Sequence, residues 1–524
     1  MITYYFTNGP WWLDALSLLA VACLALYYFS ISTYGYWRDR NVPYARPTPL
    51  FGCLLPIVTR RVHMVDEFGK IYRQARGAKY IGMFQMRTPA LMVCDPALIA
   101  NVLVKDFSHF TDHVPFGDPV KTPLVNHLFN MKGKQWKVMR QKMSPAFTLA
   151  KLKLMHCQIA ECSTQLMAYL DRRLAESPGG AIEVRNVIGN YSMDVIGTCA
   201  YGLRLNAIND DQSPFRRHGN NLFTQMFKAI FRDLCVMVSP VLNSVLNISD
   251  YSKETIEFFT SALTDTMRYR EENNIVRNDV VKCLMEARTD LVIKKTEPSI
   301  DFKEMDIVAN AFVMFIAGYE TVSTTISFCL YELALNKDIQ DRVRREMLSV
   351  KAKHDGRIDN EYTNDLRYLE MVLEETLRKY PILCIIFRQT TEPYQVPGEN
   401  LLIEKGTRIF IPAYFLHYDS KYYPDPTTFD PERFTPEEKA KRPTGTYMPF
   451  GIGPRVCIGK QFAELEMKLA LTEIITKYEV EPCHLTDIPM RLSKSSPIIS
   501  PENGIWLRFK LITTENSNIE KYNE

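Results

Sequence analysis

The stretch PFGIGPRVCIG, residues 449–459, decides how the rest of this chain is read. Gly451 and Gly453 allow backbone turns that a side chain would block. Cys457 closes that loop, where backbone N–H groups can point at its sulfur. Such donors, together with a metal ion, lower a thiol's pKa and hold it as thiolate. Gly459 leaves room for a flat group to lie against the helix expected after it. A lone C-x-G says nothing, whereas the whole run F-G-x-G-x-R-x-C-x-G ahead of a helix is specific.

Cys457 is one of 12 cysteines, and their spacing argues against a disulfide framework: there is no C-x-x-C pair and no Cys-dense module. Cys199, Cys283 and Cys329 lie in apolar runs and read as reduced core thiols. At 524 residues, 46% apolar and 11% aromatic, the chain describes a large globular body. Its 63 basic and 60 acidic side chains leave a net charge of +3, which gives no reason to expect a nucleic-acid partner.

Upstream, residues 15–37 carry no charge and can span a hydrocarbon core as a helix. Trp11, Trp12, Tyr34, Tyr36 and Trp37 suit the two interfaces. Arg38, Arg40 and Arg46 come after the span while Asp14 precedes it, which puts the N-terminus outside and the body in the cytosol. A cleaved signal peptide would need a basic start and a small-residue cleavage site, and neither is present. Residues 1–37 are therefore expected to be a single-pass anchor, 38–52 a basic, proline-rich hinge, and 53–524 one catalytic unit.

Within that unit, KYIGMFQM (79–86) and PALMVCD (89–95) read as strands, and helices dominate from about residue 130 to 380. The stretches 132–143, 302–335 and 366–380 are the clearest helices, the last stopped by Pro381. A final helix should begin beyond Gly459, and the tail IISPENGIWLRFKLI (498–512) reads as a hairpin. The expected fold class is mostly α with a smaller β portion.

Three further patterns stand out. AGYET (317–321) sits in an apolar helix, where Ala317 and Thr321 share a face and Gly318 opens a groove. An acid beside an alcohol there is costly to bury without purpose, although a kinked core helix with a back-bonded Thr321 reads equally well. Glu375 and Arg378 lie i, i+3 on one helix face, as a surface ion pair also would. Trp136 and Arg140 share a face of another helix, surrounded by Lys132, Lys134, Lys137 and Lys142. His417 is read as a packed core residue. No G-x-G-x-x-G opens a helix after a strand, so electrons or hydride for any redox step must come from another protein.

On the 449–459 run and AGYET together, the chain resembles the cytochrome P-450 family over essentially its whole length. The segments 144–155, 318–336, 380–398 and 447–459 resemble insect microsomal members of family six, relatives of a vertebrate drug-metabolising family. Ile452 and Val456 depart from the commoner polar residues at their positions. The resemblance implies haem b with Cys457 as the thiolate ligand of its iron, a donor that favours O–O cleavage. It implies Thr321 and Glu320 as the groups that deliver protons during oxygen activation, with Ala317 and Phe450 against the haem. It places Trp136, Arg140, Arg388 and Arg455 at the haem propionates, and joins Glu375, Arg378 and Arg433 of PERF (431–434) in a brace for the cysteine loop. The partners implied are an NADPH-dependent flavoprotein reductase, docking by electrostatic steering on the lysine-rich 131–143 helix, and cytochrome b5. The expected activity is hydroxylation or epoxidation of lipophilic small molecules, plant toxins and insecticides among them, at the endoplasmic reticulum membrane. Phe116, Phe312 and Ile386 are the expected pocket residues. Oxidation of an endogenous hormone or fatty acid, a reductase-independent isomerase or dehydrase, and a haem sensor or carrier without turnover are the alternatives.

Overall fold

The computed structural model describes residues 11–114, 117–176, 180–219, 222, 249–494 and 496–512. Its centre is one helix, Glu304–Leu335, which is apolar nearly all round and buried along most of its 32 residues. A helix without a polar face can be satisfied only by neighbours on every side. The Val184–Ile196, Lys253–Glu272 and Lys460–Lys477 helices supply them, and the Leu149–Glu176 helix packs behind the first and last of these. The central helix starts where the Asp306 carboxylate accepts the Lys303 N–H at 2.9 Å.

The strands are few and peripheral. β1 (Tyr80–Gln85) and β2 (Thr88–Val93) form a tight antiparallel hairpin. β2 pairs in parallel with β7 (Arg408–Ile411), and β4 (Ile386–Gln389) closes that four-stranded sheet antiparallel to β7. β3 (Ala181–Glu183), β9 (Trp506–Leu511) and β8 (Tyr478–Pro482) form a second sheet, and β5 (Tyr394–Gln395) and β6 (Leu402–Ile403) a two-stranded one. The mostly helical reading with a minor β portion holds.

The tail differs from the hairpin expected over 498–512. Only its second half is a strand, and β9 pairs with β8 and β3 rather than with the residues just before it. Pro501 has no N–H to give a ladder, and β8 emerges directly from the Lys460–Lys477 helix to take the place of the missing partner.

Among the described residues, two helices are long and apolar enough to cross a membrane. The central one is surrounded by protein, whereas Trp11–Ile31 near the N-terminus presents its apolar side chains outward. The chain leaving that N-terminal helix is tied down. Residues 38–52, expected as a hinge, run as a strap along β1: Gly82 N donates to Pro43 O (2.7 Å), Ala45 N to Gly82 O (2.9 Å) and Cys53 N to Phe84 O (2.8 Å). Trp37 is only 1% exposed and its indole N–H donates to Met83 O at 3.0 Å. The ring lies where Gly82 leaves space, since a Cβ on Gly82 would sit 2.5 Å from it. The prolines limit the strap's freedom, and the sheet edge supplies the hydrogen bonds that hold it.

Trp37→Ala is expected to lower unfolding stability by about 3–5 kcal/mol, the usual cost of emptying a large aromatic site. Denaturant titration in detergent checks this; a change under about 1 kcal/mol would mean that the strap is not held by its tryptophan.

Candidate active site

The loop around Cys457 has no helix or strand of its own, so its shape is held by contacts. Gly451 and Gly453 have φ of 71° and 76°, in the left-handed region. At Gly453 the requirement is absolute, because a Cβ would lie 1.9 Å from Leu103 O. Cys457 N donates to Phe450 O at 2.9 Å and closes the turn. Cys457 is exposed; the protein packed around its loop raises the thiol pKa by desolvation, while the Gly459 N–H and the Arg140 guanidinium lower it. The backbone N–H is a donor of the kind expected from the sequence, whereas Arg140 is expected at the haem propionates and not at the sulfur; both favour the thiolate once a metal adds its charge. Phe450 is partly buried beside the cysteine, with Lys460 Nζ 5.8 Å from its ring centroid.

Glu375, Arg378 and Arg433 come together, and the surface-pair reading fails for them. Arg378 forks onto Glu375 at 2.6 and 2.7 Å with both side chains fully buried. Arg433 approaches the same carboxylate at 3.5 Å, and Asp430 N donates to it at 3.0 Å. The Arg378 guanidinium also donates to His417 O at 2.9 Å. His417, left aside in the sequence, is the link onward. Met448 N donates to His417 Nε2 at 3.0 Å, so Nδ1 must carry the proton that it shares with Arg378 O at 3.2 Å. The neutral imidazole thus joins the ion-pair network to the residue just ahead of the cysteine loop. No pattern of residue types marks it, because its partners are backbone atoms.

A second group of cations lies on the other side of the loop. Arg388 in β4 is 1% exposed, its Nε has no partner among the described residues, and Nη1 donates to Phe387 O at 2.8 Å. Burial pushes its guanidinium down to about 9. Arg455 is also pushed down to about 9, by burial first and then by Arg388. Arg455 spreads over three carbonyls, Thr111 O (2.9 Å), Leu128 O (3.2 Å) and Met131 O (2.8 Å), and lies 4.0 Å over the Trp136 ring. Arg140 is half-buried and near enough to Cys457 to act on its thiol. His113, missed in the sequence because DHVPFG has no signature, joins them: burial, Arg388 and Arg455 hold its imidazole well below the usual value. Buried guanidiniums facing one another, one with an orphaned N–H, call for an anion. The two carboxylates of haem b meet that need, and Cys457 is a donor of the right kind for its iron, so these residues fit the group.

The central helix shows one open face. Ala317 is exposed, and Val313, Gly318 and Thr321 are partly exposed, on a helix otherwise buried except at its ends. Gly318 packs against Ile196, whose Cδ1 lies 2.6 Å from where a Cβ would stand. Thr321 Oγ1 donates back to Ala317 O at 2.6 Å, the back-bond weighed from the sequence. Glu320 points elsewhere: it is 8% exposed and ion-paired with Arg185 of the Val184–Ile196 helix. Among the expected pocket residues, Phe116 lies outside the described residues. Ile386 is half-buried in β4. Phe312 is fully buried with its ring 5.3 Å from Tyr251 and 4.9 Å from Phe259, and so turns away from the Ala317 face into an aromatic core. Five residues along a helix rotate a side chain by about 140°, which accounts for the difference.

Of the four lysines on the Gly133–Met143 helix and at its start, Lys134 pairs with Glu297 at 3.0 Å and Lys142 with Asp290 at 2.5 Å. Lys132 and Lys137 are exposed.

His417→Leu is expected to cost about 2–5 kcal/mol, because it strands a buried N–H and a buried C=O. It should also change the pH profile. Burial and then Arg378 push the folded imidazole from 6.5 down to about 3. Between those values the unfolded chain binds a proton that the native state refuses, so stability falls as pH is lowered through that window, by at most about 1.4 kcal/mol per unit. Denaturant midpoints from pH 7 to 4 check this, and a wild-type and H417L pair with parallel profiles would contradict it.

Comparison with known proteins agrees with this geometry. The family model described as cytochrome P-450 matches residues 42–509. Cytochrome P-450 6a2 of Drosophila melanogaster is 37% identical over 506 residues, covering 94% of this chain and 99% of that protein. Cytochrome P-450 6k1 of Blattella germanica is 36% identical over 518 residues, covering 96% and 98%. The family implies haem b and monooxygenase chemistry on lipophilic substrates. With its cysteine loop, buried brace and convergent arginines, the chain belongs to the cytochrome P-450 family.

Proposed function

We propose that the protein is a membrane-anchored, reductase-dependent haem-thiolate monooxygenase that hydroxylates or epoxidises lipophilic xenobiotics. The observation that carries the reading is the cluster of Cys457 with the buried Arg388 and Arg455 and the half-buried Arg140, a set that matches both the iron and the carboxylates of haem b. When bound, a thiolate-held haem supplies dioxygen activation.

The protein's own residues orient and deliver. Arg388, Arg455 and Arg140, with Trp136 beneath Arg455, hold the anionic edge of the cofactor. Gly453 and the Glu375–Arg378–His417 brace keep the Cys457 sulfur in place. Ala317 leaves one face of the central helix open, whereas the space at Gly318 is taken by Ile196 rather than opening a groove, and Thr321 can turn its hydroxyl from Ala317 O toward the open face to pass a proton. Glu320 faces away from Ala317, ion-paired with Arg185 whose side chain is 34% exposed, so its part in proton supply runs through solvent at that pair and not by direct contact with Thr321. Apolar side chains around the open face keep other water out and favour a lipophilic substrate.

The outward-facing Trp11–Ile31 helix serves as a single-pass anchor in the endoplasmic reticulum membrane, N-terminus luminal and body cytosolic. Electrons arrive from an NADPH-dependent flavoprotein reductase, with cytochrome b5 as a second donor. Lys132 and Lys137, which make no ion pair among the described residues, carry the docking charge, because Lys134 and Lys142 are already paired with Glu297 and Asp290. The likeness to insect members of family six, a resemblance at roughly a third identity, favours detoxification of plant toxins and insecticides over an endogenous substrate.

Purified protein given reductase, NADPH and a lipophilic probe should form an oxygenated product that depends on all three components; turnover of a hydroperoxide alone would favour an isomerase or dehydrase. Thr321→Ala should divert most of the NADPH consumed into peroxide, by about 10-fold or more relative to product. Unchanged coupling would remove Thr321 from proton delivery. Lys132→Glu with Lys137→Glu should slow the first reduction several-fold at low salt and little at high salt; equal rates at low salt would contradict the docking site.

A further inference from the structure

Asn310 is a polar residue at zero exposure in the most apolar helix of the protein's buried body. A buried amide is costly unless each of its groups is paired. Here both are. Nδ2 donates to Asp306 O, one turn back, at 2.7 Å, and Oδ1 accepts from Leu128 N, outside the helix, at 2.8 Å. The carbonyl of that same residue, Leu128, accepts from Arg455 Nη1 at 3.2 Å. One residue therefore has its N–H held by the central helix and its C=O held by the cysteine loop.

The surrounding segment is held in the same two-sided way. On the helix side, Asn126 Nδ2 donates to the Asp306 carboxylate at 2.6 Å. On the loop side, Arg455 also takes Thr111 O and Met131 O, and Asp112 Oδ1, which accepts Gly133 N at 2.8 Å, stands 3.9 Å from Arg455. His113 Nδ1 shares a proton with Phe129 O at 2.9 Å and ties the segment across itself. Residues fixed from both sides cannot move relative to one without pulling on the other.

We propose that Asn310 is a positioning residue for the cysteine loop: through the backbone of Leu128 it sets where the Arg455 guanidinium stands. Val313 and Ala317, on the open face, lie one and two turns further along the same helix, so that face and the cysteine loop share one hydrogen-bonded link. The consequence for the cofactor rests on the haem-thiolate reading. Arg455 is a cation two residues from the ligand, and its displacement changes the field at the iron.

The test uses the full-length protein purified with its haem and three forms: wild type, Asn310→Leu, which keeps volume and loses the acceptor, and Asn310→Gln, which keeps an amide. In N310L, amide exchange should rise roughly fivefold or more at Leu128, the loss of one buried hydrogen bond. It should rise also across residues 455–457, the haem reduction potential should shift, and N310Q should restore most of both. Faster exchange at 126–131 with wild-type exchange at 455–457 and a wild-type potential would overturn the proposal, leaving Asn310 a local pin. If N310L does not fold, the double-mutant cycle of N310Q with Arg455→Lys decides: non-additive shifts in exchange at 455–457 support the link and additive ones sink it. A wild-type protein lacking thiolate-type absorption would refute the haem-thiolate reading, while the exchange comparison would still judge the link.

Discussion

A ligand loop without secondary structure must take its shape from what surrounds it, and at Cys457 the decisive contact is steric. Leu103 O stands 1.9 Å from the position of a Cβ on Gly453, so the loop and the 101–105 turn touch backbone to backbone. That approach brings the loop against the four-stranded sheet side of the molecule. The Arg378–Glu375 pair, buried to zero exposure, also reaches the loop, through His417 and Met448 N. A buried ion pair adds little net stability by itself, because desolvation offsets most of its attraction. Its value here is geometric: a forked guanidinium with further bonds to His417 O and Thr428 O has one place to be.

The same logic, with the charges reversed, explains the site's demand for a cofactor. Arg388 and Arg455 are pushed down to about 9 chiefly by burial, and the charge of Arg388 adds to the cost at Arg455. Arg455 offsets part of that cost with three carbonyls, and Arg388 only with Phe387 O. Structures do not keep an orphaned guanidinium N–H at 1% exposure without a partner in the functional state. The arginines therefore bind their anion with the energy stored by their own desolvation, and loss of that anion should loosen the 111–133 segment that Arg455 holds.

Much of this was legible because the chemistry demands particular residue types at particular spacings. The run 449–459, the i, i+3 pair Glu375–Arg378 and the apolar 302–335 stretch each translate directly into geometry. The illegible parts use backbone partners or distant segments. His417 binds Met448 N and Arg378 O, Asn310 binds Leu128 N, and neither partner has a side-chain signature. The tail was misread because a strand's partner is chosen by tertiary position, and β8 was better placed than residues 498–505. Phe312 was misplaced by helical rotation, and the hinge proved a strap because the free edge of β1 was not visible in its prolines.

The central claim is that Cys457 is the iron's thiolate ligand, held ready by this bracing. Its most direct test is the absorption spectrum of the reduced, CO-bound protein beside its Cys457→His variant. The account requires the red-shifted Soret band of thiolate ligation in the wild type and its loss in C457H with haem still retained by the arginines. A wild-type band at the position of nitrogen-ligated haem, or the same band in both proteins, would contradict it.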